Sequence, residues 1–82
     1  MMLIQYEANS NRSAAYDGDH EIGECCYSVS GNMWTIFHTE VDPSYGGQGI
    51  AKKLVMAVKE AADQAGTDVI STCSYAYKVL GK

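Results

Sequence analysis

Apolar and polar positions follow a strand-like spacing through the first half of the chain and switch to a helical spacing after a run of glycines. Leu3 to Ala8 and Arg12 to Tyr16 read as short extended runs separated by the turn-prone Asn9-Ser10-Asn11. Asp17-Gly18-Asp19 signals a hairpin, because Asp and Gly tolerate the backbone angles of a tight turn. Glu21 to Ser30, with Ile22, Cys26 and Val29, is the next predicted strand, and Gly31-Asn32 the next hairpin. Met33 to Val41 is rich in β-branched and aromatic residues, a strand composition. Strict alternation puts Met33, Thr35, Phe37, Thr39 and Val41 on one face, and Trp34, Ile36, His38 and Glu40 on the other. Apolar groups at its start and polar groups at its end predict a central strand, covered on both faces at one end and open to a cleft at the other. Trp34 and Phe37 are expected in the core.

Asp42-Pro43-Ser44 ends this strand, since proline cannot donate to a ladder. From Gly49 onward Ile50, Leu54, Val58, Ala61 or Ala62, and Ala65 fall on one helical stripe, and Gly66 is a natural stop. Thr67 to Thr72 reads as a strand returning parallel to the one before the helix. Cys73 to Leu80 reads as a last short helical segment that Ser74 would cap. The order predicts an α+β fold over residues 1–82 as a single domain: a mostly antiparallel sheet with one long helix packed on it, then a strand and a short C-terminal helix.

Composition narrows the function. The chain has 82 residues and a net charge of -4, which argues against sequence-independent nucleic-acid binding, dependent as it is on clustered Lys and Arg, and more weakly against an anionic membrane surface. The N-terminus lacks a signal-peptide pattern and no apolar run would span a bilayer, so the cytoplasm is the expected compartment. Three cysteines, Cys25, Cys26 and Cys73, read as free thiols, the adjacent pair pointing to opposite faces of a strand. His20 and His38 lack zinc-ligand spacing, so no metal is expected. A short sheet leaves an edge that a second copy could cover, so monomer and homodimer both stand.

The glycine run is the main chemical signal. Gly46, Gly47 and Gly49 let the backbone turn sharply and approach a ligand closely. The first amides of the following helix have no internal partners, and the helix dipole favours negative charge there. Such a site suits a phosphate or pyrophosphate. Lys52 and Lys53 in the first turn are unfavourable without an anion and favourable with one. The bland reading is a tight strand-to-helix connection with solvated lysines. A P-loop would need glycine where Ala51 stands, and a dinucleotide fingerprint would need glycine at Lys52.

The segment HTEVDPSYGGQGIAKKLV resembles the acetyl-CoA-binding segment of the GCN5-related N-acetyltransferases, whose pattern [RQ]-x-x-G-x-[GA] falls on Gly46, Gly47, Gln48, Gly49, Ile50 and Ala51. Gly49 and Ala51 match; Gly46 stands where Arg or Gln is usual. HTEV before the turn and TCSY after the last strand resemble a short, YjdJ-like branch of that superfamily. The resemblance implies acetyl-CoA or coenzyme A as the cofactor. Its pantetheine arm would lie along Thr39, Glu40 and Val41, and its pyrophosphate on the amides of Gly47 to Ala51. The thioester would point toward Thr72, Cys73 and Tyr75. Gly46, Gln48, Lys52 and Lys53 complete the implied cofactor set. The chain stops at Lys82, early for that branch, so part of the usual C-terminal closure is expected to be missing.

Amine acetylation needs a polarised carbonyl, a base and a proton donor for the departing thiolate. Glu40 or His38 could be the base; their alternatives are a surface carboxylate and a sheet histidine. Cys73, at a helix start that favours a thiolate, could accept the acetyl group or simply line the pocket. The resemblance associates a cysteine there with the thioester end of the cofactor; burial as a small hydrophobe is the plain alternative. Tyr75 could protonate the leaving thiolate or pack in the core. Three readings follow: an acetyltransferase acting on a small-molecule or protein amine, a coenzyme A-binding module with little turnover, and a structural domain whose glycine turn binds nothing.

Overall fold

The structure, a computed structural model, describes residues 2–81. The predicted elements form, with small shifts at their ends. Strands β1 (Met2–Glu7), β2 (Arg12–Asp17), β3 (His20–Ser30) and β4 (Met33–Val41) precede helix α1 (Ile50–Ala65), strand β5 (Asp68–Ser71) and helix α2 (Ser74–Leu80). The five strands lie in sequence order, β1 to β4 antiparallel and β5 parallel to β4. Among the described residues the only parallel pair is thus the one that α1 connects, as a crossover helix requires.

Helix α1 packs across one face of the sheet. It buries Ile50, Leu54, Val55, Val58 and Ala62 against Ala15, Ile22, Cys25, Tyr27 and Ile36. The stripe therefore turns toward Val55 and Ala62, and Ala65 is exposed at the helix end. Gly66 ends the helix in the left-handed conformation expected of it, at φ 71°. Ser13 donates its hydroxyl to the Leu54 carbonyl at 2.7 Å, tying β2 to the helix. Tyr27 and Trp34 stack with ring centroids 4.3 Å apart, which seals one end of this core.

Two features of β4 depart from strict alternation. On β3, the neighbours Cys26 and Tyr27 pair with His38 and Ile36, so Phe37 opposes no residue. This is a β-bulge, which adds a residue and bends the strand. The extra residue changes the parity of side chains. Ile36, Thr39 and Val41 share the helix-covered side through their partners Tyr27, Cys25 and Gly23. His38 and Glu40 lie on the other side with Cys26 and Glu24. Phe37 is 55% exposed instead of buried in the core, and Trp34 is half-buried. Nor does the start of the strand have both faces covered, because the described helices pack on the Ile36 side. The last segment differs by one position: Cys73, not Ser74, is the residue that precedes the first turn of α2.

Candidate functional site

The parallel ladder between β4 and β5 runs from Met33 with Asp68 to Ile36 with Ser71 and then stops. Both Thr72 and Cys73 donate their amides to the Ile36 carbonyl, at 2.9 and 3.3 Å, as the chain turns away into α2. The bulge at Phe37 lies at the same level. Beyond it β4 keeps β3 on one side and, among the described residues, has no strand on the other, so the edge of residues 37–41 is open.

At the far end of that edge, Asp42 accepts both the amide and the hydroxyl of Ser44, at 2.9 and 2.7 Å. A short 3-10 turn follows, Pro43–Tyr45. Tyr45 donates its hydroxyl to Asp17 at 2.6 Å, which pins the loop to the β2–β3 hairpin. Gly47 and Gly49 have φ of 79° and 72°, the left-handed region in which side-chain-bearing residues are strained. Gly49 is the residue before the first turn of α1 and supplies no side-chain cap. The first intrahelical bond runs from Lys53 to the Gly49 carbonyl, which leaves the Ile50, Ala51 and Lys52 amides without backbone partners. No acidic residue stands in that turn.

A pocket of ≈ 250 Å³ collects Val41, Tyr45, Gly46, Gly47, Gly49, Ile50, Ala51 and Tyr75. Six of these were expected to hold the cofactor. Gln48, Lys52 and Lys53 are exposed and outside this lining, and Thr39 lies further along the strand. Tyr75, from α2, faces the glycine turn as well as the strand end.

Cys73 sits where β4 and β5 separate. Its thiol donates to Thr39 Oγ1 at 3.7 Å, and that hydroxyl donates to Cys25 Sγ at 3.6 Å. Burial pushes the Cys73 thiol up, but its bonds with the Ala76 amide, the Thr39 hydroxyl and the Tyr75 and Thr39 amides outweigh it and hold the thiol below its ordinary value. The Thr39 amide therefore points out of the open edge, toward Cys73. Cys25 is fully buried, and burial pushes its thiol up to about 11. Cys26, on the opposite side of β3, is likewise raised to about 11.

The other proposed groups stand across the strand from this thiol. His38 Nε2 is 3.6 Å from Glu24, and Glu24, His38 and Glu40 bring their ligand-type atoms within 4.8 Å of one another. Arg12 already bonds Glu24, at 2.8 Å, together with Glu7 and Glu21 at 2.8 Å each. The group is thus a charged network centred on one guanidinium. A second pocket, ≈ 510 Å³, opens beside it and is lined by Glu21, Glu24, Glu40 and Asp42 with His20 and Val41. Val41 borders both pockets. Cys73 and Thr39 are therefore gathered on one side, and His38 and Glu40 on the other. The sequence reading missed the Arg12 network, the Tyr45–Asp17 tie and the Thr39–Cys25 contact. Each joins residues that only the folded chain brings together, by strand pairing or, for Tyr45, by the packing of the loop on the hairpin.

The Arg12 network carries a pH signature. Glu7 is held below the usual carboxylate range by the Tyr16 hydroxyl and Arg12, and Glu24 by Arg12 foremost. A carboxylate lowered on folding contributes stability fully above its unfolded value near 4.5, and that contribution fades as pH falls through the lower folded value. Thermal melting is expected to hold level from neutral pH to about 5.5 and to fall below about 4.5. Arg12→Met should cost about 1–3 kcal/mol at neutral pH and flatten the acid slope. An unchanged slope in that variant would contradict the assignment.

Comparison with known proteins bears on the whole chain. A family profile described as GCN5-related N-acetyl-transferase matches residues 5–82. A GCN5-like protein from Staphylococcus aureus, solved in solution by NMR, is 33% identical with a TM-score of 0.73, covering 96% of this chain and 78% of its own. A GCN5-related N-acetyltransferase from Sphaerobacter thermophilus superposes with a TM-score of 0.73 at 20% identity over 88% of this chain, and this chain spans 26% of its length. The PaiA N-acetyltransferase from Thermoplasma acidophilum, solved with coenzyme A, gives 0.64 at 18% identity over 68% of this chain and 35% of its own. The last two share the fold. A search among curated proteins returns no match.

Proposed function

Since the chain belongs to the GCN5-related N-acetyltransferase family, we propose that it transfers an acetyl group from acetyl-CoA to an amine. The carrying observation is the partnerless turn of amides at Ile50 to Lys52, set beside left-handed glycines and next to an open strand edge. That arrangement suits a diphosphate followed by an extended arm. The coenzyme A bound by the Thermoplasma relative supports the same cofactor class.

Acetyl-CoA supplies the acetyl group as an activated thioester. The glycine turn and first α1 amides hold the diphosphate, with Lys52 and Lys53 adding positive charge nearby. The edge of Thr39 to Val41 pairs with the arm. The Thr39 amide, aimed at the thiol of Cys73, donates to the carbonyl oxygen as negative charge develops there. Cys73, its thiol acidified by surrounding donors, is the nucleophile nearest that amide. Tyr75 lines the pocket at the glycine turn, which supports it as the group that returns a proton to the departing sulfur. The acceptor amine enters from the carboxylate-lined pocket, where Glu40 or His38 removes its proton. A reducing compartment such as the cytoplasm suits a working thiol.

Incubation with acetyl-CoA followed by intact and peptide mass spectrometry tests this reading. One acetyl group on Cys73, absent from Cys73→Ala, is the expected result, and a supplied polyamine or lysine peptide should then remove it. Full transfer to the amine by Cys73→Ala would end the acyl-enzyme route and leave direct transfer. The separation of Cys73 from His38 and Glu40 by the β4 backbone favours one second reading, a coenzyme A-binding module. Binding by calorimetry without any acetyl transfer would select it.

A further inference from the structure

Among the described residues, the Cys73–Thr39–Cys25 chain contains a group that the acetyl-transfer reading does not use. Cys25 is fully buried, it faces the core, and its recorded polar contact is with the Thr39 hydroxyl. Cys73 lies at the other side of that same hydroxyl. Three elements supply the three groups: β3, β4 and the start of α2. The bulge at Phe37 makes the alignment possible, because it returns Thr39 to the covered side, opposite Cys25.

We infer that Thr39 and Cys25 are positioning residues for Cys73, forming a reversible relay of two turnable hydrogens that stabilises its thiolate. With Cys73 protonated, its S–H points to Thr39 Oγ1 and the hydroxyl points to Cys25. When Cys73 gives its proton to solvent or to a base, the hydroxyl turns to donate to the Cys73 sulfur. The Cys25 S–H then turns to donate to the oxygen the hydroxyl exposes. No bond breaks at Thr39 or Cys25, so the proton count closes on Cys73 alone. The relay requires Cys25 to keep its proton throughout, which burial ensures. Removing Cys25 would leave the turned hydroxyl without a donor behind it and weaken its grip on the thiolate.

The groups around Cys73 make the relay separable from charge effects. Burial and hydrogen bonds account for its shift, with no charged side chain among them. Cys25 faces it from β3, Tyr75 follows it on α2, and α1 buries only apolar residues toward the sheet. His38 and Glu40 of β4 and Glu24 of β3 project to the other side.

The inference deepens the acetyl-transfer reading and rests on it for its use in catalysis, but its test needs no cofactor. The measurement is the rate of iodoacetamide alkylation against pH, resolved by peptide mass spectrometry so that Cys73 is followed apart from Cys26. Thr39→Val should raise the midpoint of the Cys73 profile by about half to one pH unit, and Cys25→Ala should raise it by less. Thr39→Ser and Cys25→Ser, which keep a turnable donor, should return the midpoint to that of the parent. Unmoved midpoints in Thr39→Val and Cys25→Ala would overturn the relay. So would a Cys25→Ser midpoint displaced as far as that of Cys25→Ala, since packing alone would then explain it. Melting curves establish that each variant is folded, and if one apolar variant fails to fold the other decides on the same terms. A shifted profile alongside absent acetyl transfer would keep the relay and reject the transferase.

Discussion

Gly23→Ala is expected to lower the melting midpoint by roughly 4–24 °C. A methyl group at this position would stand 2.8 Å from the Glu40 carbonyl oxygen, 3.1 Å from Val41 Cγ2 and 3.2 Å from Leu54 Cδ1. The first neighbour is backbone and cannot swing aside, so β3 and β4 would have to part. Overpacking of this kind costs about 1–3 kcal/mol and sometimes more. A domain of 82 residues has a total stability of roughly 4–12 kcal/mol, so the loss is a large fraction. The double variant Gly23→Ala with Leu54→Ala separates the contacts. Because the carbonyl is the closest neighbour, trimming Leu54 should add its own cavity cost and give no rescue. A Gly23→Ala midpoint within about 2 °C of the parent would mean that β3 and β4 are not so closely apposed.

Gly49→Val should reduce coenzyme A affinity at least about tenfold, through the strained turn and the displaced first amides. The φ of 72° at Gly49 suits glycine, and a β-branched residue there costs about 1–2 kcal/mol. Apart from its chain neighbours no residue comes within 4 Å of the position its Cβ would take, so the strain is that of the backbone and not of a clash. Gly31→Val supplies the control. Gly31 has φ 60° and equally open surroundings, in the β3–β4 hairpin at the other end of the sheet. The two variants should lose similar stability, and only Gly49→Val should lose affinity when both are titrated by calorimetry below their melting temperatures. Equal affinities would remove the diphosphate from the glycine turn.

Much of this architecture was legible in the chain. Asp17-Gly18, Gly31-Asn32 and Gly66 are local conformational signals, and each marks the turn or stop it predicts. The site was half legible, for a physical reason. The glycine turn and the helix start are contiguous in sequence, so their pattern survives without a fold. Arg12 with Glu7, Glu21 and Glu24 is assembled by pairing across three strands, and no spacing along the chain announces it. The error of alternation at β4 has a single source. Period-two reasoning assumes one residue per partner, and Phe37 breaks that count. It placed Phe37 in the core, where the residue is exposed, and grouped Thr39 with Met33 and Thr35 when it faces Cys25. Neither error was visible in hydrophobicity, because a phenylalanine on a strand gives no sign that it is surplus.

A variant lacking Phe37 isolates what that surplus achieves. Its neighbours would pair one to one with β3, and every remaining side chain of β4 would keep the orientation it has now. With the bend gone, β4 could run straight alongside β5, and the rungs that end at Ile36 could extend into the gap. The protein would become a more regular sheet and forfeit the aperture through which one of its sides communicates with the other.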